Sequence, residues 1–89
     1  MSALNLAQSL IKIKSISPKD EGCFDLIEAE LSPLRFETER IPELNCETLL
    51  AKFGNAGKIL CFLGHTDIVP SGPENKWSSP PFEANIVNG

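Results

Sequence analysis

The chain has 89 residues, enough for one small domain at most or for part of a larger one. With 42% hydrophobic and 22% charged residues it has the composition of a soluble globular protein. A formal charge of -4 with no basic cluster argues against a nucleic-acid partner, and the longest apolar run, Ile59 to Leu63, is far short of the roughly 20 residues a membrane-spanning helix needs.

The first segment, "MSALNLAQSLIKIKSIS", lacks the basic, apolar and small-residue pattern of an export signal. On a helical wheel Leu4, Leu6, Ala7, Leu10, Ile11 and Ile13 share one arc, opposite Asn5, Gln8, Ser9 and Lys12. This predicts an amphipathic helix packed on a core. "SISPKDEGCFDLIEAEL" predicts a second helix, with Ser17 as N-cap, Pro18 in the first position, and Asp20 and Glu21 in the first turn. Phe24, Ile27 and Leu31, with Cys23 and Leu34 alongside, form its apolar stripe. Gly22 weakens that helix by about 1 kcal/mol relative to alanine, and Pro33 ends it or tightens its last turn.

Phe36 to Ile41 is polar enough for an edge strand. Thr48 to Phe53 alternates, with Leu49, Ala51 and Phe53 on one face, and Asn55-Ala56-Gly57 supplies turn chemistry before Lys58 to Leu63. A hairpin of those two runs is therefore expected, with Ile59 to Leu63, apolar on both faces, as an interior strand. "PSGPENKWSSPP" is a long stiff loop, and Phe82 to Val87 a last short strand. Two helices followed by strands predict an α/β arrangement of two helices on a mixed β-sheet, left incomplete by a final strand with no helix after it. The three cysteines, Cys23, Cys46 and Cys61, contain no C-x-x-C and fit a reducing cytoplasm.

The chemistry concentrates at "ILCFLGHTDIVPSGPENKW", where the apolar run delivers the only histidine, His65, and then Asp67. In open α/β sheets, ligands bind beyond the carboxyl ends of the strands. Residues two apart on extended backbone point the same way, so the Asp67 carboxylate is expected near the His65 ring. Two uses remain open on the residues alone. One is a hydrogen-bonded loop pair, the commoner case; the other is a metal ligand whose second N–H is given to a carboxylate. Ser71, Ser78 and Ser79 have no second histidine for a triad, Trp77 reads as a loop anchor, and Glu37, Glu39, Glu43 and Glu47 as a solvated face.

"GHTDIVP" resembles the first zinc-ligand motif of the zinc-dependent aminoacylase/carboxypeptidase superfamily, a His-x-Asp followed by two aliphatic residues and a proline. "SISPKDEGC" and "ENKWSSPPFEANIVNG" are similar to the succinyl-diaminopimelate desuccinylase family within it, so the resemblance runs over nearly the whole chain. It implies a cytoplasmic metalloamidohydrolase of lysine and peptidoglycan-precursor synthesis. Such an enzyme hydrolyses N-succinyl-LL-2,6-diaminopimelate to succinate and LL-2,6-diaminopimelate with two zinc ions, for which cobalt can substitute. Carried onto this chain, it makes His65 a zinc ligand and Asp67 the acidic active-site residue held against it.

It also implies that residues 1–89 are the N-terminal segment of a catalytic domain. The general base, the other metal ligands and the domain used for homodimerisation would lie beyond Gly89, so the segment alone is expected to be inactive. A related deacylase or peptidase, such as an acetylornithine deacetylase, is the alternative within the class. A short non-catalytic binding module is the alternative outside it. One departure stands out: the family usually has glycine where Arg35 stands, at a left-handed helix exit.

Overall fold

The computed structural model describes residues 1–89. Helix α1 (Ala3–Ile11) begins where extended Ser2 accepts a hydrogen bond from the Asn5 amide at 3.1 Å, satisfying one of the amides a helix leaves unpaired at its start. Its apolar arc is only partly covered. Leu6 and Leu10 are half-buried, whereas Leu4 and Ile11 are exposed. The opposite face also makes an anchor: Gln8 Nε2 donates to the Ala84 carbonyl at 2.9 Å.

The chain then runs alongside residues 66–68 in a short parallel bridge, Ile16 opposite Ile68. The Ile68 amide donates to the Ser15 carbonyl at 3.0 Å, and the Ser17 amide to the Ile68 carbonyl at 2.9 Å. The second helix, α2 (Cys23–Leu31), starts later than expected. Ser17 and Pro18 do not open it. Lys19 donates to the Ile16 carbonyl in a single turn, after which Glu21 and Gly22 take positive φ, 57 and 101, which a right-handed helix cannot contain. Gly22 is the junction, a position that favours glycine, and the Asp20 carboxylate receives the Gly22 and Phe24 amides, each at 3.1 Å. Cys23 is buried and Phe24, Ile27 and Leu31 are half-buried, as the stripe predicted, but Leu34 is exposed.

Past α2 a single 3₁₀ turn, Ser32–Leu34, contains Pro33, so the last turn tightens as expected. Arg35 sits in the left-handed region at φ 67, ψ 26. Its amide donates to the Ser32 carbonyl at 3.0 Å and the Phe36 amide to the Leu31 carbonyl at 3.4 Å, the bond pair of a glycine-type helix exit. Arg35→Gly is therefore expected to favour this exit by about 1 kcal/mol, slowing hydrogen exchange of the Phe36 amide roughly five-fold. Unchanged exchange would show that Arg35 sits there without cost.

Strands β1 (Glu37–Glu43) and β2 (Cys46–Lys52) pair antiparallel, from Glu37 opposite Lys52 to Glu43 opposite Cys46. Leu44 takes φ 55 in the two-residue connection, the sign that primed hairpin turns demand. On β2, Leu49 and Ala51 are half-buried and their neighbours exposed, as the alternation predicted. Phe53, just past the strand, lies 5.4 Å from Phe36 ring to ring. β1 joins α2 through side chains. Thr38 Oγ1 donates to Glu28 at 2.9 Å, Arg40 pairs with Glu28 and Asp25, and the Arg40 guanidinium lies 5.9 Å from the Phe24 ring centre. The Arg40 hydrogen bond, followed by that of Thr38, holds the Glu28 carboxyl below its ordinary pKa. Glu37, Glu39, Glu43 and Glu47 are exposed, the solvated face expected of them.

The expected hairpin of Thr48–Phe53 with Lys58–Leu63 does not form. β2 pairs on one edge with β1, through a two-residue turn that sets the register, and its other edge takes no strand. The mixed sheet is thus a two-stranded antiparallel one, with parallel pairing confined to Ile16 and Ile68. Nor is Ile59 to Leu63 an interior strand: it enters no ladder, and Ile59 and Phe62 are 93% and 88% exposed. An apolar strand is buried only when neighbours flank both edges and cover both faces, and nothing in residues 1–89 does so here. Phe82 to Val87 forms no strand either; Glu83 donates to the Pro80 carbonyl in a turn, and Ala84 takes φ 55. No helix is long and apolar enough to cross a membrane.

Candidate metal centre

His65 follows Gly64 at the end of the apolar run, and the chain beyond it is held from across the molecule. Ser15 Oγ donates to the Thr66 carbonyl at 2.8 Å, and the bridge at Ile68 fixes the next peptides. The His65 ring folds back on Asp67. Its Nδ1 lies 2.9 Å from the Asp67 carbonyl oxygen and 3.3 Å from Asp67 Oδ1. Both partners are acceptors, so the neutral ring carries its proton on Nδ1 and its lone pair on Nε2. The side chain is 80% exposed, which leaves that lone pair open to a ligand.

The predicted nearness of His65 and Asp67 is therefore present in the geometry, with the Asp67 carbonyl as a second acceptor that the residue spacing did not suggest. The Asp67 carboxyl is held below its ordinary pKa, first by the Ser17 hydroxyl and further by the neighbouring His65. It is a carboxylate at neutral pH, the form that best accepts the Nδ1 proton.

A catalytic zinc takes three protein ligands and a water. No group of three or more His, Cys, Asp or Glu side chains is placed here to hold a metal ion. His65 fits one ligand position of such a centre, and residues 1–89 do not complete it. The cysteines are free, with Cys23 buried; Cys46 and Cys61 are exposed, so Cys61 is not the buried hydrophobe its place in the apolar run suggested. Trp77 Nε1 donates to the Ser71 carbonyl at 3.0 Å and anchors the loop, as expected.

Ser15 and Ser17 are the site's neighbours that sequence patterning missed. The alternation Ser15-Ile16-Ser17 is the local signal for the extended backbone that carries them into the bridge.

No family model matches the sequence. The chain is 48% identical over 83 residues to the succinyl-diaminopimelate desuccinylase of Hydrogenovibrio crunogenus, covering 93% of this chain and 22% of that protein. It is 46% identical over 86 residues to the desuccinylase of Thioalkalivibrio sulfidiphilus, covering 97% and 23%. It is 49% identical over 86 residues to that of an Azoarcus species, with the same coverage of 97% and 23%. The resemblance expected from "SISPKDEGC", "GHTDIVP" and "ENKWSSPPFEANIVNG" is thus established along nearly the whole chain. The chain spans less than a quarter of the length of these curated relatives, 22% to 23%.

Proposed function

From its likeness to the succinyl-diaminopimelate desuccinylases, we propose that this chain is a segment of the catalytic domain of such an enzyme, a cytoplasmic and homodimeric metalloamidohydrolase. The reaction is hydrolysis of the amide of N-succinyl-LL-2,6-diaminopimelate to succinate and LL-2,6-diaminopimelate. His65 offers Nε2 as one ligand to one of two zinc ions, with cobalt as a possible substitute. When bound, such a metal pair polarises the scissile carbonyl and makes hydroxide available near neutral pH.

The residues of this chain do the holding. Asp67 accepts the hydrogen bond of the Nδ1–H through its carbonyl and carboxylate, which sets the tautomer and raises the basicity of Nε2. The observation that carries the reading is this pairing, in a chain 46% to 49% identical to proteins named for that activity.

The test is turnover by the full-length polypeptide with zinc, comparing succinate release from N-succinyl-LL-2,6-diaminopimelate with acetate release from N-acetylornithine. Preference for the succinyl substrate is expected. Preference for the acetyl substrate would make the enzyme a deacetylase, and turnover of neither would remove the catalytic reading.

A further inference from the structure

We propose that the segment Ser15–Ser17 is a positioning brace, which aims His65 by fixing the peptides on either side of Asp67; the inference rests on His65 being a metal ligand. Ser15 is 2% exposed and is the one buried polar residue of the chain. Its hydroxyl donates at 2.8 Å to the Thr66 carbonyl, 51 positions away, which lies between His65 and Asp67. Main-chain bonds extend the hold: Ile68 to the Ser15 carbonyl at 3.0 Å and Ser17 to the Ile68 carbonyl at 2.9 Å.

The ring itself has little else to hold it. His65 is 80% exposed, and its partners are the carbonyl and carboxylate of Asp67. The direction of Nε2 is therefore set by how the backbone presents Asp67, and that backbone is clamped by residues 15–17. Losing the Ser15 hydroxyl leaves the Thr66 carbonyl without its donor and lets its peptide rotate.

A purely structural serine would change stability and nothing else, so the test reads the site. In the full-length enzyme, Ser15→Ala is expected to lower kcat about ten-fold with KM changed less than about two-fold, within the cost of disturbing a ligand's supports. The ¹⁵N resonances of His65 should shift, and Ser15→Thr, which keeps the hydroxyl, should recover both. Should Ser15→Ala fold poorly, Ser15→Cys, which keeps nearly the same volume and leaves a weaker donor to the Thr66 carbonyl, is expected to show the same pattern in milder form. Wild-type kcat and unshifted His65 resonances in the serine variants, beside an inactive His65→Ala, would overturn the brace alone. A fully active His65→Ala would overturn the ligand assignment and the brace with it.

Discussion

On the proposed function, replacing His65 with alanine in the full-length polypeptide is expected to lower turnover by orders of magnitude and to empty one metal position. His65 is the only histidine in these residues, and no group of three or more potential ligands lies among them to replace it. A catalytic zinc that loses one of three protein ligands loses affinity and the geometry of its open position together. The loss should therefore exceed the about 10–100-fold that follows from altering a ligand's hydrogen-bond partner. Metal analysis after dialysis should find less than the full complement. A variant with both metals and normal turnover would exclude His65 as a ligand.

Asp67→Asn should do less damage, and of a different kind. The amide keeps the shape of the carboxylate and still offers an oxygen to Nδ1, while the Asp67 carbonyl at 2.9 Å remains. The ring should stay in place. What goes is the negative charge 3.3 Å from Nδ1, which makes His65 a poorer donor. The catalytic rate is expected to fall about 10–100-fold, with less metal lost than in His65→Ala. KM should hardly change, because the residue faces the histidine and not the substrate's ends. Measuring rate, KM and bound zinc on both variants separates the roles. A wild-type rate in Asp67→Asn would leave the carboxylate as a turn residue, with the carbonyl alone sufficient to orient the ring.

Features set by neighbours in the chain were legible in advance. The amphipathic period of α1, the alternation on β2 and the tightened turn at Pro33 each depend on a few adjacent residues, whereas the left-handed exit at Arg35 was implied by the family resemblance alone. The His65–Asp67 pair, two positions apart on one stretch of backbone, is local too.

Features decided at a distance were not. The alternation on β2 marks a strand but does not say which neighbour lies on which of its edges, and here only β1 does. The apolarity of Ile59 to Leu63 signals a need for cover, without saying where the cover lies. Ser15 meets Thr66 across 51 positions, and no local period announces such a contact. The later start of α2 is the instructive local miss: Gly22 looked like a cost inside a helix and is the left-handed residue in front of one.

The most direct test of the site is the ¹⁵N spectrum of the His65 imidazole in the metal-free full-length enzyme, assigned by its absence in His65→Ala and followed as zinc is added. The account predicts that Nδ1 keeps its proton throughout while the Nε2 resonance moves as the ion binds. An Nε2 resonance that stays put as zinc binds elsewhere, or a proton lost from Nδ1, would contradict it.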